Sequence, residues 1–420
     1  MEQQMHKPLA ARPDHVSADR VVDLDIFDVP GGTQDFHGAW LAFRDRGLPD
    51  LVWTPHNGGH WLATSGRLIS HIFADHKRFS SSHIFVPKEN SHQLPPSTID
   101  PPLHRGFRAL LTKGLSPKGV AELSDAIRAK TVSLIEGFRA AGYCDFSRDF
   151  AEMLPVHIFM DMVDLPVADA PRIKYWVDQT TRPDGTMDYH DAIDALVGYM
   201  APVTRARRGG SGDDLITNIV NGKVDGEPLS DKDAAELCAQ VLVGGVDTVV
   251  NMLSFIFLTL AREPDVRRQL VDDPTLIDRA VEEMLRRHPI INDGREVAED
   301  MEFEGVTMRK GDMIILPTEL HGLDERQNSA PMTVDFTREV CEHSTFGNGI
   351  HKCPGAHLAR TEIRIAMEEW LKRIPDFEVT PGTSISYGCG FVGTVNRLEL
   401  SWDPATTRAV PAPRSAEAAA

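Results

Sequence analysis

The chain has 420 residues, 41% hydrophobic and 25% charged, which excludes a disordered or fibrous chain and is ample for a core that buries a cofactor-sized ligand. With 62 acidic against 44 basic residues the formal net charge is −18, which argues against nucleic acid as the main partner and for a self-repelling protein. Its five cysteines are spread along the chain without a C-x-x-C pair, so neither a disulfide framework nor a zinc module is expected, and a reducing cytoplasm fits best.

Residues 1–20 are polar and contain no apolar run suited to a signal peptide or membrane anchor; residues 1–25 read as a mobile arm. Residues 50–63 form two short strand patterns around Asn57-Gly58-Gly59, a hairpin signal. A helical pattern covers 66–75. Residues 79–98 have no period and are rich in Ser, His and Pro, as functional loops often are. Asp100-Pro101-Pro102-Leu103-His104-Arg105 opens a helix that carries Arg105, Arg108 and Lys113. Helical patterns recur to Arg208, with breaks expected at Gly142, Pro155, Pro166 and Arg182-Pro183-Asp184-Gly185. A flexible loop at 209–214 follows, then a tight turn at Val224-Asp225-Gly226.

Residues 239–261 are the most apolar run. Gln240, Asp247 and Asn251 interrupt it, and an acid at mid-membrane is costly, so it reads as one long helix crossing the core. More helix runs to His288. Strand-like pieces occupy 290–316, with turns expected at Asp293-Gly294 and Lys310-Gly311-Asp312; residues 317–345 are irregular. A helix covers about 357–372, a short β region 377–402, and an Ala/Pro-rich disordered tail the end of the chain. The fold class is therefore mainly α with a small β region and no βαβ alternation. One domain is expected over 26–404, between the arm at 1–25 and a tail at 405–420.

The chemistry centres on Phe346-Gly347-Asn348-Gly349-Ile350-His351-Lys352-Cys353-Pro354-Gly355-Ala356. Its glycines allow sharp turns and close approach to a flat partner. Cys353 precedes a helix whose first N–H groups favour a thiolate, and a soft sulfur anion suits an axial iron ligand. A lone cysteine is more often a buried structural one. The spacing Phe-x-x-Gly-x-x-x-Cys-x-Gly, however, resembles the haem-binding loop of the cytochrome P450 superfamily, and Phe346, Gly349, Cys353 and Gly355 match it without a gap. The resemblance implies a helical prism enclosing haem b, with Cys353 as thiolate ligand. The superfamily's membrane-bound members begin with an apolar anchor, so the chain resembles the soluble ones.

Gly244-Gly245-Val246-Asp247-Thr248 lies in the apolar run. Two mid-helix glycines cost roughly 1 kcal/mol each against Ala, which either close helix packing or approach of a flat ligand would justify. An acid beside a hydroxyl is what proton delivery needs. The pattern resembles the superfamily's motif over the oxygen-binding face of haem, which implies Gly244 at the O2 pocket and Asp247 and Thr248 as proton managers. Glu283-Met284-Leu285-Arg286 is a common helix-surface pair by itself. Seventy residues before the cysteine loop it resembles the superfamily's structural Glu-x-x-Arg pair. Haem propionates need cations, and by the same resemblance these are Arg108, Arg295 and His351.

From residue 50 to 410 the chain resembles bacterial camphor monooxygenases, through Pro49-Asp50-Leu51-Val52-Trp53-Thr54, Asn57-Gly58-Gly59-His60-Trp61, Thr181-Arg182-Pro183-Asp184-Gly185, Gly322-Leu323-Asp324-Glu325-Arg326 and Trp402-Asp403-Pro404-Ala405-Thr406-Thr407. That branch grips its helix acid with a Lys and an Arg, here Lys174 and Arg182. Where it places a ketone-binding tyrosine over the haem, this loop is about two residues shorter and carries His92. Gln240 stands at an apolar pocket position, while Phe85, Ile291, Phe391 and Val392 match apolar ones. The expectation is a monooxygenase hydroxylating a small terpenoid ketone, an ionone-type norisoprenoid ahead of camphor. O2 and electrons from a separate [2Fe–2S] ferredoxin with a flavin reductase are implied. Arg105, Arg108, Lys113, Lys352 and Arg360 are expected to form the donor's basic patch. A haem protein that only binds ligand, and a peroxide-driven oxygenase, are disfavoured because neither needs the Asp247-Thr248 pair.

Overall fold

The hairpin signal at Asn57-Gly58 is realised: both residues have positive φ (53° and 85°), and they join strands Leu51–Thr54 and His60–Ala63, paired antiparallel from Leu51↔Ala63 to Thr54↔His60. The protein is described here from a computed structural model that covers residues 9–410. The hairpin starts a five-stranded sheet. His60–Ala63 runs parallel to Met313–Pro317, which pairs antiparallel with Asn292–Val297, and Phe79–Ser80 closes the far edge. Helices make up most of the remainder.

Four expectations need correction. Asp293-Gly294 is not a turn. Asp293 pairs with Leu316 and Gly294 with Ile315, and the Gly294 N–H donates to the Ile84 carbonyl at 2.9 Å, so sheet pairing overrides the local turn preference. Pro155 does not break its helix. It is the third residue of Met153–Met162, where its missing N–H removes no intrahelical bond. The arm expected over 1–25 is packed in its described part, residues 9–25: Val16 and Leu24 are buried, and the Val22 N–H donates to the Trp53 carbonyl at 2.8 Å. Residues 1–8 lie outside the described residues. So does most of the expected tail, 411–420, and the Arg408 N–H just before it donates to the Arg373 carbonyl at 2.9 Å.

The fourth correction bears on the site. The long apolar helix is two helices, Asp231–Gly245 and Thr248–Arg262, broken at Val246-Asp247. The Thr248 hydroxyl reaches back to the Gly244 carbonyl at 3.4 Å, and Asn251 donates both its backbone N–H and its side-chain amide to the Asp247 carbonyl at 3.2 and 3.0 Å. Side chains thus take over carbonyls that an unbroken ladder would use. By length and composition the 32-residue stretch Asp231–Arg262 could cross a membrane, but 67% of its most apolar window is buried inside this fold. Helix Ala356–Arg373 packs on Pro117–Phe138 and on Ile277–Arg287, fixing the cysteine loop to the core.

Candidate active site

Between the broken central helix and the cysteine loop lies a cavity of about 310 Å³. Gln240, Gly244 and Thr248 line one wall, and Phe346 and Cys353 the other. The two central glycines divide the explanations offered by the sequence. A Cβ on Gly245 would sit 2.2 Å from the Phe159 ring, so that glycine serves packing, whereas a Cβ on Gly244 would meet nothing within 4 Å and leaves the cavity wall flat.

The cysteine loop is held by its own backbone. The Cys353 N–H donates to the Phe346 carbonyl at 2.8 Å, and Gly349 has φ +71°, with room for a Cβ denied by Ala74 at 2.8 Å. The Arg360 guanidinium lies over the Phe346 ring, 4.6 Å from its centre. Cys353 keeps accessible surface and borders the cavity. Burial pushes the thiol up, and the Gly355 N–H with Arg108, Arg360 and Lys352 offsets only part of this. Coordination to a metal ion would favour the thiolate further.

Arg108, Arg295 and His351 border the same cavity. Arg295 is held by the Asp293 carboxylate at 2.9 Å and lies over Phe73; His351 faces Asp100 at 3.0 Å. The sequence reading missed His104. It lines the cavity one helical turn before Arg108, its ring is 4.3 Å from that of His351, and its buried Nε2 has no hydrogen-bond partner. Burial, together with the charges of His351 and Arg108, lowers its pKa to about 4. The i,i+4 spacing of His104 and Arg108 was the available signal. A flat open wall, a cavity-facing sulfur, a ring of cations and an unpartnered imidazole fit a planar group with one soft axial ligand and an anionic edge, as haem is.

Behind the break, Asp247 is buried and doubly gripped. Arg182 donates to its two carboxylate oxygens at 2.7 and 2.9 Å, Asn251 adds a bond at 3.0 Å, and the Lys174 ammonium lies 3.6 Å away. Burial would push this carboxyl up, but Arg182, Lys174 and Asn251 more than offset it and hold Asp247 below the usual carboxylate range. Asp178, also missed, accepts from the same Lys174 and Arg182 at 2.8 Å each. Burial and the Asp247 charge push it up against both cations. The 174–178–182 spacing puts all three groups on one helix face. A further acid, Glu362 on the cysteine helix, borders the cavity, and burial raises its pKa to about 8.

On the substrate side, Gln240, Ile291 and Phe391 line the cavity. Phe85 and Val392 do not. Phe85 packs on Phe391, ring centres 4.3 Å apart, and Val392 forms a bridge with Ile291, so both support the wall from behind. His92 is likewise absent from the lining; its Nε2 lies 3.8 Å from the Glu236 carboxylate.

Glu283 and Arg286 are fully buried and bidentate at 2.7 and 2.8 Å. Arg286 also donates to the Gly322, Pro331 and Thr333 carbonyls, and Glu283 accepts from Arg338 at 3.1 Å. Arg338, which no spacing in the sequence marked, completes the brace across the segment leading to the cysteine loop. Outside the cavity a surface groove reaches Cys353 past Arg108, Lys352 and Arg360. Arg360 is paired with Glu282, and Lys113 with Asn218.

A model of the cytochrome P450 family matches residues 184–386. A probable cytochrome P450 127A1 from Sinorhizobium fredii is 32% identical, covering 93% of this chain and 96% of the relative. The crystal structure of CYP101J2 is similar with TM-score 0.86 and 45% identity, covering 94% of this chain and 100% of that one. CYP101C1 gives TM-score 0.86 with 39% identity over the same shares. The chain belongs to the cytochrome P450 family, on its bacterial camphor-monooxygenase-like branch, and is an O2-dependent monooxygenase that binds haem b through a cysteine thiolate.

Proposed function

We propose that this monooxygenase hydroxylates an unactivated C–H bond of a small apolar terpenoid ketone of the ionone or norisoprenoid type. Its electrons come from a separate [2Fe–2S] ferredoxin served by a flavin reductase. The observation that carries the reading is the apolar chamber wall of Ile84, Val241, Ile291 and Phe391 opposite the cysteine loop. Such a wall recognises shape and excludes water.

Cys353 would ligate the iron, and Arg108, Arg295, His351 and His104 would hold the propionates. When bound, haem supplies the redox chemistry: O2, two electrons and two protons convert R–H to R–OH and water. The residues of the chain manage the rest. Gly244 leaves room against the cavity. The Thr248 hydroxyl, bonded to the Gly244 carbonyl, can hold a water or pass a proton there. Asp247, next in the chain to that hydroxyl, is paired with Arg182 and Lys174, which with Asp178 are partly exposed toward bulk water. Glu283 and Arg286 keep the cysteine loop in place and touch no reacting atom.

The test is a spectral titration of purified holoenzyme with ionones, camphor and apolar non-terpenoids, followed by NADH consumption with ferredoxin and reductase added. Terpenoid ketones should displace the iron-bound water at micromolar concentration and give hydroxylated products. A protein that responds only to non-terpenoid ligands would end this reading.

A further inference from the structure

The substrate's polar end needs a partner, and the cavity offers few. Thr248 is bonded to the Gly244 carbonyl, and the Thr318 hydroxyl donates to the Ile291 carbonyl at 2.9 Å. Thr345 is bonded to the Leu285 carbonyl at 2.7 Å. His92, which stands where the branch has its ketone-binding tyrosine, is outside the lining and faces Glu236 instead. Besides His104, which stacks beside His351, and Glu362, on the cysteine helix, two neutral polar side chains line the cavity with no hydrogen bond among the described residues: Gln240 and Ser97.

We infer that Gln240, rather than His92, supplies the hydrogen bond that orients the substrate's oxygen function, which makes it the specificity-determining residue of the chamber. Three observations favour it over Ser97. Gln240 is on the helix Asp231–Gly245, a rigid element, whereas Ser97 is on a loop. Its amide has two donors and an acceptor, so it serves a ketone or an alcohol. It also shares a face, at a spacing of four, with Gly244 on that helix, and Gly244 and Thr248 both line the cavity.

That spacing also sets a distance. At 1.5 Å rise per residue, Gln240 is about 6 Å along the helix axis from Gly244, and Thr248 follows beyond the break. A ligand whose oxygen is held at Gln240 therefore turns its opposite end toward the Gly244–Thr248 segment. The carbon attacked is several bonds from the oxygen, not adjacent to it. The rest of the ligand lies against Val241 and Phe391, which offer no competing hydrogen bond.

This inference rests on the terpenoid-ketone reading, and its test separates the two. Dissociation constants are measured by calorimetry on the holoenzyme for β-ionone and for the hydrocarbon in which a methylene replaces its carbonyl. Wild type, Q240L, S97A and H92A are compared. The expected result is that wild type prefers the ketone, that Q240L weakens ketone binding about tenfold with the hydrocarbon unchanged, and that S97A and H92A keep the preference. A ketone preference intact in Q240L, or lost in S97A or H92A, overturns the assignment to Gln240 while leaving the terpenoid reading standing. Binding of neither ligand to wild type removes the terpenoid reading and this inference with it.

Discussion

At the scale of single residues, the most consequential group is Asp247. It is fully buried, and its charge survives there because Arg182 matches both carboxylate oxygens. A carboxylate held so firmly is a poor proton donor unless its partners can leave. Asp178 supplies the alternative. It contacts the same two cations, so Arg182 and Lys174 can shift weight from one acid to the other without leaving an unpaired buried charge. The D247N variant preserves shape and removes the charge, while Arg182 keeps Asp178. Turnover should fall about 100-fold, in the range of a lost general acid, with a larger solvent deuterium isotope effect and unchanged haem content and ligand affinity. Wild-type turnover in D247N would remove Asp247 from proton delivery.

At the scale of elements, the hairpin at Asn57-Gly58, the helix after Cys353 and the small β region were legible because turn chemistry and hydrophobic period are local. The break at Val246-Asp247 was not, because the apolar pattern runs straight through it. What interrupts the ladder is side-chain bonding by Thr248 and Asn251. Asp293-Gly294 misled for the opposite reason: the dipeptide favours a turn, and the cross-strand partners Leu316 and Ile315 decide otherwise. The site was readable wherever spacing carried it, as at Cys353 and Asp247. It was unreadable where partners come from distant segments, as with Arg338, or where a loop's path matters, as with His92. The glycine pair offers a test of the broken helix. A Cβ at Gly245 strikes Phe159, so G245A should destabilise the protein by roughly 1–3 kcal/mol. At Gly244 the space is open, so G244A should be neutral or stabilising by up to about 1 kcal/mol in urea unfolding, since Ala is the better helix former. Equal effects at the two positions would mean that they do not face different surroundings.

At the scale of the whole molecule, a net charge of −18 opposes approach of an acidic electron donor from most directions. The groove on the cysteine side offers a place for it, with Arg108, Lys352 and Arg360 along it. Its effective charge is smaller than the residue list suggests, because Glu282 pairs Arg360, whereas Lys352 is exposed and is in no ion pair among the described residues. Attraction must therefore act over short range, within about 8–10 Å at physiological salt. This makes Lys352 the residue to reverse. Its backbone carbonyl, not its side chain, holds Arg108, so K352E changes the groove's charge by two units and leaves the loop's bonding intact. If an acidic ferredoxin docks in this groove, K352E should raise the KM for that donor about tenfold and flatten its dependence on ionic strength. The dissociation constant for the proposed substrate, read in the internal cavity lined by Gln240 and Phe391, should not move. An unchanged KM with an unchanged salt slope would place the electron donor on another face of the protein.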